Sequence, residues 1–254
     1  MRTRIHRVLA VLCGALLLGV RIVSAQVPPQ PKSQKEVEAL QKAVAAGQTP
    51  EGQIANIDAV LTNFADTEFK IPLMQMALQL AETKGDAVLI TVWGERLLDT
   101  DPKNVFALNT LAGQLASSTK EFDLDKQEKL AKAEKYARDA IAAAPNTPKP
   151  RPDIPDDQWT SVKKDLAAQG HQTLGLIAVL NKKFDVAIAE FKASLDTAGT
   201  QDPATMVRLG DAYAKAGKND DASAAYDRAM NTPNANPVVK QAAQQRKALL
   251  PKKP

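Results

Sequence analysis

The chain has 254 residues, of which 44% are apolar but only 4% aromatic, a composition that favours closely packed helices over a β-sandwich or barrel. Its 33 basic and 29 acidic residues give a formal charge of +4. Four of the basic residues and none of the acids lie within residues 1–25, which leaves 29 of each beyond them. That balance predicts no nucleic-acid partner and no attraction to anionic lipid.

Residues 1–25 follow the pattern of a secretory signal peptide. Three arginines precede a 13-residue apolar run over 8–20, and Ala25 supplies a small residue at the expected cleavage site before Gln26. The run is shorter than the ~20 residues that span a bilayer, so we expect cleavage, localisation in the periplasm or secretion, and no stable membrane insertion afterwards. An uncleaved membrane anchor is the alternative. The single cysteine, Cys13, lies within this run, so the rest of the chain has no disulfide.

Beyond the leader the pattern is helical almost throughout. Residues 26–32 are a proline-rich lead-in that we expect to be disordered. Ser33 and Glu36 have the spacing of a capping box, in which Ser33 accepts from a helical N–H and Glu36 reaches back. Further helix starts place a capping side chain before a proline, which is tolerated there because the first N–H of a helix has no intrahelical partner. These starts are Thr49-Pro50, Asp101-Pro102, Asp202-Pro203 and Asn236-Pro237.

Two segments near the C-terminus share one residue pattern with an offset of 35 positions. The first has Leu174-Gly175, Ala187 and Phe191, and the second has Leu209-Gly210, Ala222 and Tyr226. The pattern resembles the signature of the tetratricopeptide repeat (TPR) family. Glycine and alanine lie where two antiparallel helices cross, and the aromatic residues supply bulk for the neighbouring repeat. One such helix pair cannot bury its own face, so the resemblance implies that the pairs stack.

Degenerate copies of this pattern precede the two clear ones. About three of them cover residues 33–145, with Ala55, Ile90 and Ala133 at the crossing position and an insertion over 117–126. No alternation of period two is long enough to indicate a strand. The sequence therefore predicts an all-α fold, a TPR-type superhelical solenoid of about eleven helices in antiparallel pairs.

The remaining segments are linkers and ends. A proline-rich strap over 146–155 is expected to run extended along the surface and to separate the N-terminal copies from the two repeats over 156–235. Residues 236–250 are predicted to form a capping helix, and 251–254 a frayed tail.

Few side chains beyond the leader could carry catalysis. His171 is the one histidine there, and we expect it to lie half-buried between helices rather than to act as a base. No phosphate-binding glycine loop and no cluster of metal ligands is visible, so the sequence predicts no enzyme, no metal and no cofactor. Trp93 and Trp159 are expected to anchor the core or the strap rather than to stack on carbohydrate. The charged run over 120–126 is interpreted as a solvated turn.

In TPR proteins the first helix of each pair lines a concave face, so the resemblance implies a groove for an extended or helical protein segment. The positions transferred from the motif are neutral and amide-rich, and the family's clamp for a terminal carboxylate is absent. For any one of these residues a solvated helix face is the alternative. They are Gln75, Gln79 and Glu82; Phe106, Asn109 and Thr110; Gln172, Thr173 and Leu176; and Arg208, Asp211 and Lys215.

These observations predict an exported scaffold or adaptor that binds another envelope protein, or a peptide segment of one, without catalysis. A self-associating structural module, which would form a homo-oligomer, is the alternative. A small-molecule binder or an enzyme is a third and less favoured alternative.

Overall fold

The computed structural model describes residues 29–251, so the predicted signal peptide and most of the predicted tail lie outside it. Within this range every regular element is helical, which confirms the predicted all-α helical-repeat fold. A 3-10 turn (Ala144–Asn146) follows the sixth of eleven α-helices. The helices are α1 (Gln34–Ala43), α2 (Pro50–Asn63), α3 (Lys70–Lys84), α4 (Ala87–Thr100), α5 (Val105–Ser118), α6 (Lys126–Ala143), α7 (Asp156–Leu180), α8 (Phe184–Thr197), α9 (Pro203–Lys215), α10 (Asn219–Asn231) and α11 (Pro237–Ala248).

The chain divides into two compact units, the first ending at Thr100 and the second beginning at Asp101. The first contains α1–α4 and the second α5–α11, and within each unit consecutive helices pack against one another. The sequence suggested that the strap separates the N-terminal copies from the two C-terminal repeats. The strap is not a boundary between compact units, because α7 follows it and packs on both α5 and α6. None of the helices within residues 29–251 is long and apolar enough to cross a bilayer.

Four of the five predicted side-chain caps begin their helices at the predicted residues. Thr49 accepts from Gly52 N at 3.2 Å, and Asp202 and Asn236 cap α9 and α11 in the same way. The start predicted at Asp101 is wrong by one turn. Asn104 caps α5 instead by accepting from Ala107 N at 3.2 Å, and Asp101 accepts from the Asn104 amide at 3.0 Å.

The lead-in is attached to the first unit through Glu36. Ser33 Oγ accepts from Glu36 N as the capping box predicts, but the buried Glu36 carboxylate accepts from Lys32 N and from Thr67 Oγ1, both at 2.6 Å. A buried carboxylate needs such donors to offset its lost hydration. Lys32 also pairs with Asp66 at 2.8 Å, so the disorder predicted for the lead-in is wrong for its last residues.

The helix crossings of the two C-terminal pairs follow the predicted pattern of small residues. A Cβ added to Gly175 would lie 2.5 Å from Phe191 Cε1, and one added to Gly210 would overlap the ring of Tyr226. Each ring therefore packs on the glycine of its own pair, and both rings also belong to one core that is formed mainly by α8, α9 and α10 and includes Ala178 of α7 and Ala243 of α11. The equivalent prediction for α2 is wrong, because Ala55 is exposed and the adjacent Ile54 is buried.

The strap is folded rather than extended. Trp159 Nε1 donates to Thr147 O at 3.0 Å, which confirms the predicted anchoring role of this tryptophan. Lys149 Nζ donates to Ile154 O at 3.0 Å and closes the segment on itself. Ile154 N also donates to Arg151 O at 3.5 Å, so the turn is closed by a backbone bond as well as by the lysine.

We expect Gly175→Ala to lower the free energy of unfolding by about 1–3 kcal/mol, because the new methyl group overlaps the Phe191 ring. Gly113→Ala in α5 is the matched control, since nothing lies within 4 Å of the position its Cβ would take. It should raise the free energy by about 0.5–1 kcal/mol through helix propensity alone. Urea unfolding followed by circular dichroism measures both changes, and equal effects of the two alanines would contradict the crossing argument.

Candidate protein-binding face

The candidate residues of the first unit share one face of α3. Gln75, Gln79 and Glu82 follow each other at intervals of four and three residues, which places them on a single stripe of the helix. Gln79 and Glu82 are exposed and Gln75 is half-buried. The stripe is uncharged except for Glu82, and it has no large apolar member.

Two candidates of the second unit are buried and do not form a surface. Asn109 on α5 is 8% exposed and Thr173 on α7 is 6% exposed. The Asn109 amide donates to Leu166 O at 2.9 Å, and the Thr173 hydroxyl donates to Gln169 O at 3.2 Å. Both residues are covered because α5 packs against α7. Their assignment to a binding groove is therefore corrected.

Gln172 and Leu176 lie on the same helix but are half-buried. The Gln172 amide donates to Asp202 Oδ2 at 3.0 Å, and Asp202 also accepts from Ala204 N at 2.9 Å as the cap of α9. Gln172 thus braces α7 against the start of α9. Leu176 packs against the core shared by α8–α10 and keeps part of its side chain accessible.

Asp211 has a structural role that the motif did not reveal. Its Oδ1 accepts from the buried Tyr226 hydroxyl at 2.8 Å, and its Oδ2 accepts from Arg246 Nε at 3.0 Å. Burial, together with the hydrogen bond to Asp211, raises the pKa of Tyr226. One carboxylate on α9 therefore holds both α10 and α11, which makes Asp211 a poor candidate for direct contact with a partner.

Arg208 and Lys215 share the face of α9 that carries Asp211. They lie three residues before and four residues after it, so the three side chains form one stripe. Neither cation makes an ion pair with any residue in 29–251, whereas Asp211 is paired with Arg246. The lining predicted to be neutral is therefore cationic on this helix. Arg246 was missed because it lies 35 residues from Asp211, in the capping helix.

Phe106 and Thr110 complete the candidates on α5. Phe106 is 42% exposed at the start of the helix, and Thr110 is half-buried. Phe106 is thus the one large apolar candidate in the second unit whose ring is substantially accessible.

His171 and the tryptophans have the structural positions that the sequence predicted. His171 Nδ1 lies 2.8 Å from Glu190 Oε2, between α7 and α8, and the ring is half-buried. Trp93 is buried in the first unit, with the Arg96 guanidinium 4.3 Å from its ring centroid. No group of three potential metal-ligating side chains occurs in the part of the chain that the structure describes.

The loop over 119–125 carries two exposed apolar side chains that the sequence patterns did not single out. Phe122 is 90% exposed and Leu124 is fully exposed. The loop itself is held in place, because Glu121 pairs with Lys182 at 2.8 Å and Asp123 accepts from Lys120 N at 3.0 Å. The alternation of large apolar residues with acids was the available signal, and it was interpreted as a solvated turn.

A shallow pocket lies among α8, α9 and α10. Its volume is about 250 Å³, its apolar lining includes Leu195, Met206 and Leu209, and Lys192 and Arg228 flank it. No candidate binding residue lines it. Its two cations therefore provide a comparison for those on the α9 stripe.

The fold is similar to that of a thermophilic TPR protein from Thermus thermophilus whose crystal structure is known. The TM-score is 0.57 at 18% sequence identity, over 84% of this chain and all of the other. No protein-family model matches the sequence, and no curated protein matches it. At this identity the likeness establishes a TPR-like fold and nothing about binding residues. Such helical repeats present extended surfaces that generally bind other proteins.

Stability should fall more steeply at alkaline pH in the wild type than in Tyr226→Phe. The raised pKa of Tyr226 means that its stabilisation is complete below about pH 10, the ordinary tyrosine value, and is lost as the pH rises above it. The slopes should differ by up to about 1.4 kcal/mol per pH unit. Urea unfolding over an alkaline pH series measures this, with Tyr136→Phe as control. Parallel slopes for the wild type and Tyr226→Phe would refute the argument.

Proposed function

We propose that the protein is a non-catalytic scaffold that binds a segment of another protein in its second unit. The segment would lie on α5, α7 and α9, the first helix of each pair. The observation that carries this proposal is the set of side chains on these helices that remain wholly or partly accessible. Phe106 lies on α5, Leu176 on α7, and Arg208 and Lys215 on α9. Aromatic and arginine side chains are among the groups that contribute most of the binding energy at protein interfaces.

The proposed site of action is the periplasm or cell envelope of a bacterium. Support comes from the signal-peptide pattern over 1–25, which lies outside the described residues. Removal of this leader would also remove the only cysteine, so an oxidising compartment would impose no disulfide chemistry on the mature chain. The proposed partner is another protein of the same compartment.

The absence of catalysis is part of the same proposal. A catalytic base needs a reacting group within hydrogen-bond reach, and the one histidine beyond the leader is engaged with Glu190 between two helices. Of the charged groups on the α9 stripe, Asp211 is used to hold α10 and α11. These engagements favour structural roles for the titratable side chains nearest the proposed face.

Crosslinking capture with the tagged full-length chain in its native host tests both parts of the proposal. We expect a recurrent partner whose yield falls at least about tenfold in Phe106→Ser, because loss of a central apolar anchor typically removes that much affinity. Val186→Ser is the matched control, since Val186 is similarly exposed but lies on the second helix α8. Mass spectrometry of the captured chain should find Gln26 as its first residue.

An equal yield in Phe106→Ser, Val186→Ser and the wild type would contradict the proposed binding face. A captured chain that still begins within residues 1–25 would contradict the proposed processing. These two readouts are independent, so either part can fail alone.

Self-association is the second candidate, and the exposed Phe122 and Leu124 favour it. Exposed apolar surface favours an interaction site where it is contiguous, and these two side chains lie two positions apart on a loop that ion pairs and hydrogen bonds hold in place. Light scattering should then detect a concentration-dependent oligomer that Phe122→Ser/Leu124→Ser abolishes. Val238→Ser, at another exposed apolar position, is the control and should leave the oligomer intact. A wild-type monomer at high protein concentration would eliminate this candidate.

A further inference from the structure

We infer that the α9 stripe of Arg208, Asp211 and Lys215 selects partner segments that carry acidic side chains. This inference rests on the proposed function and adds the chemistry of the partner to it. It is based on the ion pairs of the stripe, because its acid is paired within the fold and its two cations are not.

Asp211, the one acid of the stripe, is already paired inside the protein. Its Oδ1 accepts from Tyr226, its Oδ2 accepts from Arg246 Nε at 3.0 Å, and the same Nε lies 2.9 Å from Oδ1. The Arg246 guanidinium therefore balances the Asp211 carboxylate without help from its neighbours on α9. A partner segment meets a carboxylate that has little capacity left to attract cations.

The two cations of the stripe are not balanced in this way. Arg208 and Lys215 make no ion pair with the residues in 29–251, so the stripe and Arg246 together hold a surplus of two positive charges. Glu121 and Asp202 are nearby acids, but Glu121 pairs with Lys182, and Asp202 accepts from two backbone N–H groups and from the Thr205 hydroxyl.

Lys215 already stabilises a carboxylate at a distance. The pKa of Glu121 is lowered chiefly by its hydrogen bond and charge interaction with Lys182, with smaller contributions from Lys126 and Lys215. The Lys215 ammonium is therefore placed where a negative charge gains from it. A partner carboxylate that comes closer than Glu121 would gain more.

The chemistry of the two cations suits carboxylates within a protein segment. Arginine offers a planar fork that can bind a carboxylate through two hydrogen bonds, and lysine adds a mobile point charge. Leu176 on the neighbouring α7 supplies a partly accessible apolar contact. Nucleic acid is a poorer match, because two surplus cations neutralise few phosphates and the chain beyond residue 25 has equal numbers of basic and acidic residues.

Selection from a random peptide library displayed on phage tests the inference with the purified protein. Peptides bound by the wild type should be enriched in Asp and Glu relative to the unselected library. Arg208→Glu/Lys215→Glu should instead enrich Lys and Arg, while Lys192→Glu/Arg228→Glu, which reverses the two cations at the shallow pocket, should keep the wild-type preference. Circular dichroism must show equal melting of the variants, and Arg208→Gln/Lys215→Gln replaces the first pair if the reversal impairs folding.

Binding measurements with a synthetic copy of a selected peptide give the contribution of its acidic side chains to affinity. Replacing its acids by the corresponding amides should weaken binding about tenfold per contacted carboxylate, as expected for hydrogen bonds to charged groups. Peptides selected without an acidic preference, or a preference that survives Arg208→Glu/Lys215→Glu, would overturn the inference and leave groove binding intact. Failure to select any peptide would count against the proposed function itself. Preferential binding of a single-stranded oligonucleotide through the same two cations would overturn the choice of a protein partner.

Discussion

The close crossing of two helices in each C-terminal pair is the constraint on which the second unit depends. Glycine at 175 and 210 removes the side chain that would separate the helices, so the rings of Phe191 and Tyr226 lie directly on the facing backbone. Packing at this distance gathers many dispersion contacts on one ring. It also fixes the rotation of each helix about its axis, because the ring can approach the facing backbone this closely only at the glycine. The residues that reach solvent on α7 and α9 follow from that rotation.

The charge of the candidate face is a second consequence of the same contact. With its ring on Gly210, Tyr226 brings its hydroxyl to Asp211, which also accepts from Arg246 of the capping helix. A buried phenol requires such a partner, and the Arg246 guanidinium balances the charge of the half-buried carboxylate. With Asp211 paired in this way, Arg208 and Lys215 remain without ion-pair partners within residues 29–251. The cationic stripe is thus a product of core packing and capping rather than of a charge-rich sequence.

The sequence predicted the features of the fold that depend on the local spacing of residues. The 35-residue offset identified the two helix pairs, and short patterns placed most caps and the anchoring of Trp159. It did not predict which residues of each helix face are covered by a neighbouring helix. Adjacent residues point in directions that differ by roughly 100°, and the angle at which two helices cross decides which of them are buried. Asn109 and Thr173 were misplaced for that reason, and Ala55 by a single position. The partnership of Asp211 with Arg246 spans 35 residues and has no local signal.

The balanced charge of the chain beyond its leader determines how such a face would recognise a partner. Two surplus cations produce a field that salt screens within roughly 8–10 Å, so they add little long-range attraction. Their effect is confined to contact, where a carboxylate can reach Arg208 while an apolar side chain covers Leu176. Discrimination then comes from the penalty for leaving a desolvated cation unpaired, which a segment with amides in place of acids would incur. A face of this kind distinguishes partners by their side chains at close range, as a scaffold must when it operates among many other proteins.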